Sequence, residues 1–406
     1  MTSSVYIAKN VYGGDGLGRL GDGRVVFVRG AWAGEQVRAE IFEERSNFVR
    51  ARLVEVVEAS PERVEPGPSV PGMVYSGLSY KGECDAKAMQ LADFLERARI
   101  KAPEVVRAAP PARPEAYRNK VVYHFARQDG RWAIGYRMEP GHEIVDVASD
   151  PLAVPEINAK LPEIRRGVMA LLTSGAAAVR RDVERKGGVT VRWTRKTGVK
   201  WWVGDPPDGL VLRETTAGLD FEVPADGFYQ VNPFVGEQLV EAVVDAYAAG
   251  AEESPSILDL YCGVGVFGLA CVRRASSMGI AAPLVGIESG RQAVDFARRN
   301  AAAQGAAGVK FFAERVGPNA RRMPMGPRTT VVVDPPRGGL ERGVARAIVE
   351  SGAPRLFYVS CDPATLTRDL RELVRAYEVE SVRWFDMFPR TARFETLVAL
   401  RRRSGK

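Results

Sequence analysis

The 406-residue sequence is poor in cysteine and histidine, and both shortages narrow the chemistry open to it. Four cysteines are scattered along the chain without a C-x-x-C pair, so neither a disulfide framework nor a zinc site is expected. With two histidines at unpaired spacing, histidine-based acid–base or metal chemistry has little to work with. The cysteines are Cys84, Cys262, Cys271 and Cys361.

Long apolar runs are also missing. No stretch approaches the roughly 18 consecutive apolar residues of a membrane span. The first residues, Met1 to Tyr6, lack a basic segment followed by an apolar one, so no secretory signal is expected. We therefore expect a cytoplasmic protein with reduced cysteines and no membrane partner.

What is present is a basic, globular composition. The chain has 57 Lys and Arg against 50 Asp and Glu, a formal net charge of +7, which favours a polyanionic partner. Hydrophobic residues make up 46% and charged residues 26%, which is typical of a protein with a packed core. At roughly 100 to 200 residues per domain, two or three domains are expected. Nothing in the composition demands more than a monomer.

The amino-terminal part, residues 1–60, reads as short strands joined by tight turns. The glycine-rich turn at 13–18, the Val25–Val28 run and the alternating Val37–Phe42 stretch predict a small β-barrel of oligonucleotide-binding type. Another small all-β module is the alternative. The proline-rich stretch from Ser60 to Gly72 predicts a linker out of this barrel.

Residues 61–225 predict a central α+β domain. Helical spacing from Lys81 to Ile100 predicts a helix, which can pack on the catalytic domain. A proline-rich break follows at residues 108–114. Residues 177–202 interleave basic and aromatic side chains, which suits a looped or single-stranded RNA. The alternative is a solvated hairpin whose tryptophans are partly core.

From residue 226 to 406, strands and helices alternate, which predicts a doubly wound parallel sheet. Gly263, Gly265 and Gly268 follow a predicted strand as G-x-G-x-x-G, and Glu288 ends the next strand. A turn of this kind binds a nucleotide, and its acid binds ribose hydroxyls in dinucleotide sites. The motif alone does not separate dinucleotide from other adenosine cofactors.

Two further predicted apolar strands are followed directly by residues that can take part in catalysis. Asp334 follows the first strand and begins a rigid Asp-Pro-Pro-Arg loop, and Cys361 follows the second strand, residues 356–360. Because ligands bind at the carboxyl ends of parallel strands, Cys361 is a candidate nucleophile. The alternative is a small buried hydrophobe, which is the commoner role of a single cysteine. A dinucleotide site gives this cysteine and the Asp334 loop no role.

The last two predicted strands, 378–385 and 394–400, are joined by a loop too short for a parallel crossover, so they are expected to be antiparallel. The final strand then starts where the parallel strands end, and Glu395 converges with Asp334 and Cys361. The segment Asp259-Leu-Tyr-Cys-Gly-Val-Gly resembles the first motif of class I S-adenosylmethionine-dependent methyltransferases, which implies a methyl donor at this edge. A thiol and a carboxylate beside a methyl donor suit uracil C5 methylation. Cys361 would add to C6, and Glu395 would remove the C5 proton. The alternative for Glu395 is a salt-bridged strand acid.

Several segments resemble those of a known family, the bacterial RNA uracil-5-methyltransferases that methylate 23S ribosomal RNA. Residues 16–19, 23–28 and 34–37 are similar to a TRAM domain, a barrel attached to RNA-modifying enzymes. The glycine turn resembles the first motif of class I S-adenosylmethionine-dependent methyltransferases. The other matching segments are Tyr117-Arg-Asn-Lys, Phe228-Tyr-Gln-Val-Asn-Pro, Ser360-Cys-Asp-Pro-Ala-Thr-Leu and Phe388-Pro-Arg-Thr-Ala-Arg-Phe-Glu.

The resemblance implies a Rossmann-like carboxyl-terminal domain that uses S-adenosylmethionine to methylate a uridine flipped out of folded RNA. It makes Cys361 the nucleophile and Glu395 the base. Two residue sets follow. Cofactor binding is expected at Gln230, Tyr261, Gly263, Glu288 and Asp334. RNA contacts are expected at Arg118, Lys120, Arg390 and Arg393.

Three other functions stay open. The substrate can be uridine 54 of tRNA instead of 23S rRNA, although the barrel favours rRNA. A cytosine-5 RNA methyltransferase usually has a second cysteine on a neighbouring strand end, and the Asp334 loop has none. A non-catalytic RNA-binding protein on the same fold would not be expected to keep Cys361, Glu395 and the cofactor residues together.

The sequence departs from the family in two places. Ribosomal members commonly carry four cysteines for an iron–sulfur cluster, but residues 66–80 hold none and Cys84 alone cannot bind one, so no cluster or other metal is expected. The family also commonly has a histidine before the base, where Ala392 and Arg393 stand here. This puts substrate contacts in doubt more than the chemistry.

Overall fold

The computed structural model describes residues 2–108, 114–138, 141 and 143–404. The proline-rich break predicted at 108–114 therefore falls largely outside the described residues. The chain divides into two compact units. The first comprises Met1–Asp93 with Phe388–Phe394, and the second comprises Phe94–Met387 with Glu395–Lys406. The division predicted at 60 and 225 stays a prediction.

The first unit begins with a closed five-stranded barrel in the order β1-β2-β3-β5-β4. Alternate residues of each strand point inward, and valine, isoleucine and alanine fill the interior. Gly18 allows β2 to approach β1 closely, because an added Cβ would lie 2.5 Å from the Tyr6 carbonyl oxygen. The predicted barrel is confirmed. Its strands are β1 (Thr2–Asn10), β2 (Gly16–Arg19), β3 (Val25–Arg29), β4 (Gln36–Glu44) and β5 (Phe48–Glu58).

Helix α1 (Tyr80–Arg97) follows the barrel. Within the first unit its Glu83 and Lys87 side chains form a fully buried ion pair at 2.7 Å. Arg390, from the 388–394 segment, donates its backbone N–H to the same Glu83 carboxylate at 2.7 Å and its guanidinium to the Leu78 carbonyl at 2.9 Å. A buried carboxylate thus holds the segment that precedes Glu395.

The second unit opens with a five-stranded antiparallel sheet in the order β11-β10-β7-β8-β9, and β12 and β13 form a separate hairpin. Within the 177–202 stretch, Arg192 and Trp202 are only 2% and 6% exposed. These two residues belong to the core, and the interpretation of this stretch as an RNA contact stays a prediction. The elements are β6 (Val105–Arg107), β7 (Lys120–Gln128), β8 (Arg131–Arg137), β9 (Ile144–Asp146), α2 (Pro155–Leu172), α3 (Ala177–Lys186), β10 (Gly188–Thr194), β11 (Gly198–Val203), β12 (Val211–Thr216) and β13 (Leu219–Pro224).

The rest of this unit is a doubly wound α/β fold on a sheet in the order β16-β15-β14-β17-β18-β20-β19-β6. Strands β14 to β18 are mutually parallel, whereas β20 runs antiparallel to both β18 and β19, as predicted. The strands are β14 (Ser256–Leu260), β15 (Leu284–Glu288), β16 (Val309–Ala313), β17 (Thr329–Val333), β18 (Arg355–Ser360), β19 (Tyr377–Phe385) and β20 (Glu395–Arg402). The helices are α4 (Pro233–Ala248), α5 (Val266–Ser277), α6 (Arg291–Ala303), α7 (Val316–Asn319), α8 (Val344–Ser351) and α9 (Pro363–Leu373).

Within the residues that the structure describes, no helix combines the length and the apolar character of a membrane span. No group of three or more His, Cys, Asp or Glu side chains among them is arranged to hold a metal ion.

Candidate active site

Strand register brings the predicted catalytic residues together. Ser360 at the end of β18 pairs with Thr396 near the start of β20. Because the two strands are antiparallel, Cys361, which follows Ser360, and Glu395, which precedes Thr396, lie on the same side of this pair. Asp334 follows β17, which lies on the other side of β18. Because β20 lies between β18 and β19, the Cys361 thiol and the carboxyl groups of Glu395 and Asp334 lie at the same edge of the sheet, where the parallel strands end.

The Cys361 thiol lies between the end of β18 and helix α9, and it is partly exposed. Its pKa is raised to about 12, mainly by burial and also by the nearby carboxylates of Glu395 and Asp334. The positive charge of Arg337 acts in the opposite direction. The thiol is therefore protonated unless cationic groups favour the thiolate.

Glu395 is buried at the first position of β20, with 4% of its surface exposed. Among the described residues its Oε2 has no hydrogen-bond partner. Burial raises its pKa well above the ordinary value, and Asp334 adds to the shift while Arg337 opposes it. Burial likewise raises the pKa of Asp334 to about 7. Clusters of strongly shifted groups at a strand-end cleft are typical of catalytic sites.

Arg337 is the residue that sequence reasoning left without a role. Its exposed guanidinium lowers the pKa of both Cys361 and Glu395. The sequence could have indicated this role, because Arg337 lies at the end of the Asp334-Pro-Pro-Arg loop, close to Asp334. The prolines hold this loop rigid, and the arginine follows the acid at short range.

The glycine turn between β14 and α5 is organised by two carboxylates. The Gly263 N–H donates to Glu288 Oε2 at 3.3 Å, and Glu288 Oε1 accepts from the Gly290 N–H at 2.7 Å. Asp259, fully buried in β14, accepts from the Gly268 N–H at 2.9 Å. Gly263 has a φ of +54°, a left-handed conformation that glycine adopts easily. The turn thus exposes backbone next to the cleft.

A cleft lies beside this turn. Its lining includes four of the five predicted cofactor residues, and Glu288 is bonded to Gly263, which also lines it. Apolar side chains supply most of the remaining wall, a mixture typical of cofactor sites. The four lining residues are Gln230, Tyr261, Gly263 and Asp334. The apolar wall includes Phe228, Val240, Val266 and Phe267.

The predicted RNA contacts all donate hydrogen bonds inside their own unit. In the second unit Arg118 donates to the Tyr136 hydroxyl at 3.4 Å and Lys120 to the Asp226 carbonyl at 3.4 Å. In the first unit Arg393 donates to the Tyr12 hydroxyl at 2.7 Å, and Arg390 has the Leu78 and Glu83 bonds described above. Their roles toward RNA stay predictions.

The chain is similar in sequence and fold to known families and proteins. Residues 327–403 match the model of the tRNA (uracil-5-)-methyltransferase family, and residues 5–54 match the TRAM domain. An RNA methyltransferase of Caldanaerobacter subterraneus is 31% identical over 444 residues, covering 96% of this chain and 95% of the relative. One from Gloeobacter violaceus is 30% identical and covers 99% and 96%.

Two further similarities carry more specific names. The 23S rRNA (uracil(1939)-C(5))-methyltransferase RlmD of Alkalilimnicola ehrlichii is 29% identical, covering 94% of this chain and 92% of the relative. The crystal structure of Pyrococcus abyssi tRNA (uracil-54, C5)-methyltransferase, in complex with S-adenosyl-L-homocysteine, superposes with a TM-score of 0.74 at 21% identity. It covers 98% of this chain and all of that one. This last likeness concerns the fold.

The fold is that of a class I methyltransferase with an appended TRAM barrel. The chain belongs to the S-adenosylmethionine-dependent RNA (uracil-5-)-methyltransferase family. The resemblance stated from the sequence is thereby confirmed.

Proposed function

We propose that this enzyme methylates C5 of a uridine in 23S rRNA, with Cys361 as nucleophile and Glu395 as base. The observation that carries the proposal is the Ser360–Thr396 register, which sets the two side chains at the same sheet edge beside Asp334. The named 23S rRNA relative and the TRAM barrel support the ribosomal substrate.

The cleft fits the methyl donor. It offers an amide, a phenol, glycine backbone and the Asp334 carboxylate together with apolar walls, which suit a nucleoside and a charged amino-acid tail. Gln230, Tyr261, Gly263, Glu288 and Asp334 would hold S-adenosylmethionine. When bound, this cofactor supplies the electrophilic methyl group that C5 accepts.

Each protein group then has one task. The Cys361 thiolate forms a bond to C6, and the electrons of the C5–C6 double bond move into the ring to make C5 nucleophilic. After C5 has been methylated, the Glu395 carboxylate takes the C5 proton. The electrons of the C5–H bond restore the double bond, and the C6–S bond breaks to return the thiolate. Arg337 favours the ionised forms of both Cys361 and Glu395.

Covalent trapping tests this sequence. RNA containing 5-fluorouridine, incubated with S-adenosylmethionine, is expected to give a denaturation-resistant adduct, because fluorine cannot leave C5 as a proton does. Cys361→Ala should give no adduct. Glu395→Gln should accumulate an adduct even on ordinary uridine RNA, because the C5 proton stays in place. Peptide mapping by mass spectrometry locates the link, and an adduct on any residue other than Cys361 would contradict the mechanism.

A second candidate substrate is uridine 54 of tRNA. The family model that matches residues 327–403 and the structural neighbour both carry tRNA in their names. Mapping 5-methyluridine in RNA from cells with and without the gene separates the two. Loss of the modification from tRNA with rRNA unchanged would replace the ribosomal proposal.

A further inference from the structure

The strongest unassigned feature is a set of polar side chains behind the segment 224–231, which carries Gln230 into the cleft. Arg192 in β10 and Lys120 in β7 are directly paired across the sheet. Two like charges opposite each other destabilise a sheet unless something compensates them. Here the compensation comes from backbone carbonyls of that one segment.

Arg192 makes the central contacts. Its guanidinium is buried, with 2% of the residue exposed, and Nη1 donates to the carbonyls of Pro224, Ala225 and Gly227 at 3.0, 2.9 and 3.0 Å. Three carbonyls that converge on one point repel each other unless a cation lies between them. The turn is also tight, because a Cβ on Gly227 would lie 2.3 Å from Pro224.

Lys120 and Asn119 extend these contacts along the segment. Lys120 Nζ donates to the Asp226 carbonyl at 3.4 Å, and the Asn119 side chain donates to the Gln230 carbonyl at 3.3 Å. The Asn119 backbone N–H donates to the Val231 carbonyl at 2.8 Å. Six of the eight backbone carbonyls of residues 224–231 therefore accept hydrogen bonds from Arg192 in β10, Lys120 in β7 or Asn119, which directly precedes β7.

The remaining part of the segment is held from the cleft side. The buried Tyr229 hydroxyl bonds to Thr216 Oγ1 at 2.6 Å, and Thr216, Phe228 and Gln230 all line the cleft. A segment fixed on both sides keeps its cofactor-facing groups in place before any ligand arrives, which reduces the ordering cost of binding.

We propose that Arg192, assisted by Lys120 and Asn119, is a positioning residue that preorganises the 224–231 segment for S-adenosylmethionine. Lys120 thereby acts on the cofactor cleft and not on RNA. The inference rests on the proposed assignment of this cleft to the cofactor. It gives the Tyr117-Arg-Asn-Lys segment a role in holding the methyl-donor site.

The test measures S-adenosylhomocysteine binding by calorimetry in Arg192→Gln, Arg192→Lys and Lys120→Gln. Arg192→Gln should raise the dissociation constant at least about tenfold, since three carbonyls lose their cationic partner, and Arg192→Lys should recover part of the loss. In turnover assays the KM for the methyl donor should rise while kcat at saturation changes little. Lys200→Gln is the matched control, because Lys200 pairs with Arg192 on its other side and is exposed.

Several outcomes would overturn the proposal. In a folded Arg192→Gln protein, unchanged binding would refute it, as would a fall in kcat with KM unchanged. Weaker RNA binding by Lys120→Gln with normal S-adenosylhomocysteine affinity would assign Lys120 to RNA instead.

Amide hydrogen exchange of residues 225–231 without ligand gives an independent measurement, and it should be faster in Lys120→Gln even if Arg192→Gln does not fold. Unchanged exchange there would count against the proposal. Wild-type and Gln230→Ala proteins that bind S-adenosylhomocysteine equally would instead refute the cleft assignment.

Discussion

At the residue scale, the site is acidic and poorly solvated. Cys361, Glu395 and Asp334 all have raised pKa values, with burial as the largest cause in each case. The raised pKa values favour the protonated thiol and carboxyl forms, whereas the proposed mechanism needs a thiolate and a carboxylate. Arg337 is the cation whose charge favours both. Its charge therefore matters to the reaction more than its exposed position suggests.

The pH dependence of kcat/KM should show this effect. Cys361 and Glu395, the proposed nucleophile and base, are acids with raised pKa values, so the rate should increase as pH rises and they ionise. Arg337→Gln should move this rise to higher pH and lower the rate at neutral pH, whereas Arg337→Lys should keep most of the profile. The measurement is initial methyl transfer between pH 6 and 10. An unshifted profile in Arg337→Gln would show that its charge does not act on the two acids.

At the element scale, the 388–394 segment is held by helix α1 through buried charges. Glu83 accepts from Lys87 and from the Arg390 backbone, and its side chain and that of Lys87 are fully buried. Arg390 adopts a φ of +65°, which is uncommon for a side chain other than glycine. The anchored segment ends at Phe394, which directly precedes Glu395, the proposed base, in the chain.

Removing the buried carboxylate should be costly. Glu83→Gln removes the buried carboxylate that pairs with the Lys87 ammonium, and breaking a buried pair in this way destabilises by about 3–5 kcal/mol. Asp85→Asn is the control on the same helix, because its pair with Lys81 is exposed and screened by solvent, so its loss should change stability little. Urea unfolding measures both. Equal effects would mean that the buried pair adds nothing specific.

At the scale of the whole molecule, a net charge of +7 accompanies a fold that binds RNA. Many of the basic side chains are paired with acids, as Arg38 is with Glu55 and Arg52 with Glu40. The net excess should still attract the phosphate backbone over a Debye length of about 8 Å at physiological salt. Electrostatic attraction should therefore contribute strongly to RNA affinity and little to cofactor affinity.

Salt titration checks this difference. RNA affinity should fall at least about tenfold between 50 and 200 mM salt, because each neutralised phosphate releases counterions. S-adenosylhomocysteine affinity should change little over the same range, since its site is largely apolar. Fluorescence anisotropy and calorimetry measure the two constants. A salt-independent RNA affinity would mean that phosphate contacts do not dominate.

Much of the fold was accessible from local patterns. Asp334, Glu288 and Cys361 each lie at the end of an apolar run, and the glycine turn has a characteristic spacing. The positions of these residues at the ends of strands could therefore be predicted from the sequence. The antiparallel final pair followed from loop length. In contrast, the burial of Arg192 could not be predicted, because its partners are backbone carbonyls more than 30 residues away that no side-chain pattern encodes.

The sequence by itself determined which residues end the strands and which family motifs they form, because hydrophobic periodicity and glycine spacing are local properties. Only the tertiary structure decided that β20 lies between β18 and β19 with Ser360 opposite Thr396. Strand order and register depend on packing between distant segments. That packing is what brings a thiol and a carboxylate 34 positions apart in the chain to one edge of the sheet.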